Sequence, residues 1–263
     1  MTMETIQNPN EIIGLMQELK LRHLGQAMQA DLEQMPEVER KVVLKYLPKW
    51  IQKEKSERSS NQIANRIRSA KFKKVQTVEI YNFRHSKSTE SIEKNYLSLL
   101  NSVGRNCLPS AVFSGTSGLG KTHLARSLGY VACQKGLSVL FITAAELVNH
   151  LNHAQKTYNL EAELNRYRRP HVLVIDELGY VSLDAQGSNL FFQVISARHD
   201  AELGTIATTN IAFGKFNQIF ANDAIAHAIV DRLVNDAEDF YLEGPSYRPI
   251  EREQRIKRRK KDA

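Results

Sequence analysis

The chain has 263 residues, 42% of them hydrophobic and 25% charged, the length and make-up of a soluble α/β domain plus a small extra module. No run of about 18 apolar residues occurs, so no membrane-spanning helix is expected, and the polar start Met1–Asn10 lacks the basic-then-apolar order of a secretory signal. Of the net charge of +7, residues 1–77 carry 14 Lys/Arg against 9 Asp/Glu, residues 78–247 carry 14 against 17, and residues 248–263 carry 8 against 3. Two basic ends around a mildly acidic middle point to a polyanionic partner.

The first module, residues 1–77, reads as helical. From Glu11 the residues Ile12, Ile13, Leu15, Met16, Leu19, Leu21 and Leu24 recur at three- and four-residue spacing, with Asn8 or Asn10 as the cap. A second amphipathic stretch, Val38–Lys55, contains Pro48, which is expected to kink or divide it. A third, Ser60–Lys74, sets Arg66, Arg68, Lys71, Lys73 and Lys74 around Ile63, Ile67 and Phe72. Residues 75–88 have no sustained helical period, which places a domain boundary near residue 77.

Residues 78–250 then alternate short apolar strands with helices. The strands are Ala111–Ser114, Ser138–Thr143, His171–Asp176, Thr205–Thr209 and Asp239–Leu242. Helices are expected over Lys121–Gln134, Ala144–Asn159 and Leu183–His199. Such alternation argues for an α/β fold with a parallel sheet covered on both faces. Residues 251–263 form a basic tail, whose biased segment Arg255–Lys261 is expected to be disordered when alone. Cys107 and Cys133 have no metal-ligand spacing and sit among apolar or small residues, so both are expected to be buried reduced thiols of a cytosolic protein.

Gly115-Thr116-Ser117-Gly118-Leu119-Gly120-Lys121-Thr122 fits the phosphate-binding pattern G-x-x-x-x-G-K-[ST], between an apolar strand and a helix as the pattern requires. The glycines let successive amides point at phosphate oxygens, and the helix directs its positive end at the same anion. Lys121 adds charge for the β- and γ-phosphates of ATP, and Thr122 offers a hydroxyl to Mg2+. The strand Val172–Ile175 ends at Asp176 and Glu177, on the sheet edge where such folds bind ligands. Asp176 suits the metal, and Glu177 suits polarisation of the attacking water. Asn210, after Thr205–Thr209, either reaches that water or the γ-phosphate or caps a turn; spacing leaves both open.

With Ile229-Val230-Asp231-Arg232-Leu233, these segments resemble the AAA+ ATPases. More narrowly, the stretches Gly115–Leu124, Val172–Tyr180, Phe191–Arg198, Ile206–Asn210 and Asp231–Leu233 resemble the IstB helper ATPases of bacterial insertion sequences, similar to the helicase loader DnaC and the initiator DnaA. The likeness implies an AAA+ core without a full lid domain behind a helical N-terminal domain. It also implies that His123 belongs to the nucleotide-binding run and that Arg232 acts as a finger on a neighbouring subunit's ATP; by sequence alone, Arg232 is as readily a surface ion-pair residue. Arg248 matches a second nucleotide-sensing arginine. The family expectation is a ring or spiral homo-oligomer in the bacterial cytoplasm, binding double-stranded DNA with little sequence preference and serving a transposase. Candidate phosphate contacts are the basic residues of the third stretch, Arg166, Arg168 and Arg169, and the tail Lys257–Lys261. A DnaC-like helicase loader is the alternative. A small-molecule kinase would need a lid that is not apparent, and Glu177 argues against a switch without turnover.

Overall fold

A computed structural model describes residues 9–235 and 237–261, the side chains of residues 9–11, 254–255 and 257–261 excepted. The chain forms two compact units, Met1–Ala64 and Asn65–Ala263.

In the first unit, α1 (Pro9–Glu18) and α2 (Arg22–Gln34) replace the single helix expected from Glu11 to Leu24. The break comes at Lys20, whose φ of 60° turns the chain, and Leu21 N–H closes the turn on the Met16 carbonyl at 2.9 Å. Proline at the first helical position costs nothing, because its missing N–H would have no partner there. Asn8, one of the two proposed caps, lies outside the described residues; Asn10 lies inside α1 rather than at its cap. The following helix, α3 (Glu37–Ser69), runs without interruption through Pro48 and joins the second and third amphipathic stretches. An internal proline costs about 3 kcal/mol. Packing offsets it here: Ile12, Met16, Leu19 and Ile51 form a buried cluster with Leu44 and Leu47 against it. The polar middle of α3 is tied down by Arg58, which pairs with Glu54 at 2.6 Å and donates to the Leu19 carbonyl at 2.8 Å.

The division between units falls inside α3, ahead of the expected boundary at residue 77. Ile67, Ala70 and Phe72 belong to the core of the second unit, where the Ala70 carbonyl accepts from Phe141 N–H at 2.8 Å. Two short 3-10 turns, Val78–Ile80 and Phe83–His85, lead to α4 (Lys87–Ser102), which starts on a capping box formed by Ser86 and Thr89. This helix buries Ile92, Tyr96 and Leu100, a four-residue period in the sequence that the expected elements omit.

Five parallel strands follow: β1 (Ala111–Gly115), β2 (Val139–Thr143), β3 (Val172–Leu178), β4 (Gly204–Thr209) and β5 (Glu238–Leu242), in the order β2-β3-β4-β1-β5. The intervening helices are α5 (Lys121–Gln134), α6 (Ala144–Lys156), α7 (Leu160–Arg168), α8 (Ala185–Asp200) and α9 (Asp223–Val234). Side chains alternate across the sheet. Val172 and Val174 join the core of α4 and α5, whereas Leu173 and Ile175 join that of α6 to α9. The helix expected to run to Asn159 stops at Lys156, and Tyr158, with φ 55°, turns the chain into the unforeseen α7.

The basic end, expected to be disordered, is helical as α10 (Arg248–Lys261). The side chains of Lys257–Lys261 lie outside the described residues. Cys133 is buried as expected, but Cys107 is exposed. It sits in a tight surface turn, bridged to Gly104, where no core is available to cover it. Among the described residues no helix is long and apolar enough to cross a membrane.

Candidate functional site

The strand order sets β4 between β1 and β3, so the loop after β1 and the acids ending β3 face one another at the carboxyl edge. The loop leaves β1 pinned to its neighbour, with Thr116 N–H donating to the Leu242 carbonyl at 2.9 Å. Gly118 and Gly120 have φ of 83° and 86°, and a Cβ would stand 2.1 Å from Ser246 Oγ at the first and 2.5 Å from Tyr81 Cε2 at the second. Only glycine satisfies both the backbone and the space. Lys121 is 7% exposed and donates to the Gly115 and Thr116 carbonyls, each at 2.7 Å. Burial is the main cause that lowers its pKa to about 8, with Arg248 acting in the same direction and Asp176 opposing.

Asp176 is 3% exposed. Its Oδ1 accepts from the hydroxyls of Thr122 at 2.8 Å and Thr208 at 2.5 Å. The β3–β4 register slips between Ile175 and Leu178, and Glu177 takes a φ of 62°. Such a conformation costs a non-glycine residue about 1–3 kcal/mol and clusters at functional sites. The Thr208 oxygen that donates to Asp176 also accepts from Glu177 N–H at 3.0 Å, so one hydroxyl ties both acids. The Glu177 side chain is exposed.

A cavity of about 560 Å3 lies over this edge, within the roughly 300–1,000 Å3 typical of ligand clefts. Ser117–His123, Asp176, Glu177 and Arg248 line it, together with Ile80, Tyr81 and Asn82. Tyr81 donates its hydroxyl to the Leu119 carbonyl at 2.7 Å, fixing that wall to the loop. His123 donates to the Thr77 carbonyl at 2.8 Å, and burial lowers its pKa. The loop and glycine geometry fit a nucleotide's phosphates. The oxygen-only pair Thr122 and Asp176 fits magnesium, which is commonly held by one or two protein oxygens plus phosphates and water.

Two of the sequence candidates stand elsewhere. Asn210 is exposed just past β4 and outside the cavity lining, which that strand supplies through Thr208. Arg232, in the last turn of α9, lies over the Phe192 ring at 5.0 Å and donates to the Ala228 carbonyl. It borders a separate cavity with His199 and Glu202. Of the candidate DNA contacts, Arg166 and Arg168 pair with Glu163 at 2.8 Å and Glu161 at 3.2 Å, whereas Arg68, Lys71 and Lys74 are exposed. Tyr81, Arg126 and Thr208 also line the cavity and were not singled out in the sequence. Thr208 was visible as a hydroxyl at a strand end beside the acids. Arg126 was visible as the residue one helical turn beyond Thr122.

Fold and site together define a P-loop nucleotide-binding protein of the AAA+ class. The chain belongs to the family described as IstB-like ATP binding protein, IS21 type, whose profile matches residues 14–255. The ATP-binding protein of insertion sequence IS5376 from Geobacillus stearothermophilus is 34% identical over 215 residues, 82% of this chain and 84% of that one. Among solved structures, the DnaC helicase loader superposes with a TM-score of 0.57 at 20% identity, covering 64% of this chain and 96% of that chain. A replication initiator DnaA, solved bound to AMPPCP and single-stranded DNA, gives 0.54 at 16% identity over 66% of this chain, which spans about half (51%) of the DnaA chain.

Proposed function

We propose that this insertion-sequence ATP-binding protein hydrolyses ATP as a homo-oligomer on double-stranded DNA and thereby assists a transposase. The observation that carries the enzymatic part is the tie from Thr208 to both acids, which holds Asp176 beside Thr122 and Glu177 at the cavity.

In this reading the amides of residues 115–120 and the start of α5 receive the phosphates. Lys121 exchanges the Gly115 and Thr116 carbonyls for phosphate oxygens. Thr122 and Asp176 would hold magnesium, which when bound would supply positive charge for the transferring phosphate. Tyr81 and its neighbours form the wall against the nucleoside. Glu177 takes a proton from the attacking water as the water oxygen bonds to the γ-phosphorus. The bond from that phosphorus to the β-bridging oxygen breaks, giving ADP and phosphate. Arg232, remote from its own chain's cavity, acts on a neighbour's nucleotide, where such a finger contributes about 10³–10⁵ in rate. Arg248, in the cavity wall, senses the nucleotide in its own chain, and Asn210 serves by orienting water once subunits assemble. The exposed cations Arg68, Lys71 and Lys74 take duplex phosphates without reading sequence.

The test is to size the protein with duplex DNA under ATP, ADP or no nucleotide, beside a Glu177→Gln variant, and then to offer the cognate transposase and a replicative helicase. A large complex with ATP that Glu177→Gln makes persistent, and that retains the transposase, is expected. Retention of the helicase alone would favour the loader reading, and ATP turnover indifferent to DNA would remove the DNA-dependent part.

A further inference from the structure

Arg126 lies one turn beyond Thr122 on α5, outside the phosphate-binding motif. Its guanidinium carbon stands 4.8 Å from the centre of the Phe141 ring. Nη1 donates to Gln76 Oε1 at 3.1 Å, and Nη2 stands 3.9 Å from Asp176 Oδ2. The side chain is 15% exposed, and its Nε is buried without a hydrogen-bond partner.

Asp176 is therefore divided between two surroundings. Oδ1 takes two hydroxyl protons, while Oδ2 faces a cation held short of a direct bond, since a made N–H···O pair of this kind spans about 2.7–2.9 Å. A carboxylate this deep needs a nearby positive charge. Lys121 feels the Asp176 charge but directs its protons at two loop carbonyls. Arg126 is the cation that stands within ion-pair distance of the carboxylate.

We infer that Arg126 is a built-in counter-ion for Asp176, neutralising it between nucleotide cycles and opposing magnesium while the nucleotide is bound. It is a positioning residue that acts through Asp176, and the inference rests on the magnesium-nucleotide reading of the site. Two like charges on one carboxylate repel. Arg126 accordingly weakens the site's hold on magnesium and favours its departure with the product. The loose 3.9 Å spacing suits this role: a tight bidentate pair would shut the metal out, and a distant cation would leave the acid bare. Gln76 holds Nη1 and keeps the head from closing on the acid.

The experiment uses the full chain as wild type, Arg126→Gln, Arg126→Met and Arg126→Lys. Binding of a fluorescent ATP analogue is titrated with magnesium, and thermal unfolding is followed in EDTA and in magnesium with ATP. Both neutral variants are expected to reach half-maximal magnesium-dependent binding at about tenfold less magnesium, the change that about 1.4 kcal/mol of lost repulsion produces, and Arg126→Lys to stay near wild type. They should melt below wild type in EDTA, with the gap closing in magnesium and ATP. Arg126→Met keeps an apolar stem over Phe141, so a purely packing role would leave it like wild type in both solutions. If the neutral variants fail to fold in EDTA, folding on addition of magnesium and ATP is expected, and failure in both overturns the inference. An unchanged magnesium requirement, or equal melting deficits in both solutions, also overturns it. If wild type itself binds nucleotide without regard to magnesium, the reading of the site falls, a result distinct from the other two.

Discussion

Thr208→Val isolates one hydroxyl while keeping nearly the same shape. Thr208 is 2% exposed, donates to Asp176 and accepts from Glu177 N–H. A hydrogen bond to a charged group contributes about 1.5–3 kcal/mol and a neutral one about 1 kcal/mol, so removal should cost roughly 3 kcal/mol. For a folding unit of this size each kcal/mol lowers Tm by about 2–4 °C, which gives a fall of about 6–12 °C. The Glu177 backbone, with its φ of 62°, loses the acceptor that holds it, so turnover should fall further than nucleotide affinity. Calorimetry gives the first quantity, and steady-state phosphate release with analogue binding gives the second. Thr208→Ser should recover both. A Tm within about 2 °C of wild type with unchanged turnover would show that the hydroxyl does not hold the two acids.

The remaining expectations are quickly checked. Lys121, with its pKa lowered to about 8 by burial, is charged in the free protein only below that value. Nucleotide affinity should therefore fall as pH rises from 7.5 to 9.5, with proton uptake on binding visible by calorimetry in two buffers. Between about 8 and the unfolded lysine value near 10.4, the unfolded chain binds more protons at this site, so this group's contribution to stability rises with pH. Lys121→Ala should remove both the pH dependence and the binding itself. Arg232→Ala should leave nucleotide binding by single subunits intact and suppress turnover in the assembly; mixing it with Lys121→Ala should restore part of the activity, and absence of any rescue would count against action across subunits. A thiol reagent should modify one cysteine in the native protein, Cys107, because Cys133 is buried with its pKa raised to about 11; mass spectrometry after digestion identifies the site.

The parts of this molecule legible in its sequence were those set by short-range rules. The run Gly115–Thr122 between an apolar strand and a helix, and the acids at the end of Val172–Ile175, declare their positions through backbone needs and strand burial. What the sequence hid was decided by packing at long range. Pro48 sits in a continuous helix because Leu44, Leu47 and Ile51 supply apolar contacts that a local propensity scale does not count. Ile67, Ala70 and Phe72 look like the end of one module and belong to the core of the next. Thr208 and Arg126 carry no motif of their own; they matter because strand order and helical pitch bring them to Asp176. Asn210 stands one step past the cavity lining of its own chain, a position that strand length rather than residue type decides.

Placing β4 at the middle of the sheet gives one strand two duties. Its Thr208 touches the acids on one side of the cleft, and its exit continues through residues 210–222 into α9, whose last turn carries Arg232. The strand that answers to the acids is therefore also the strand from which the chain to that arginine departs. One unbroken run of backbone thus links the acid-holding strand to the helix that carries Arg232.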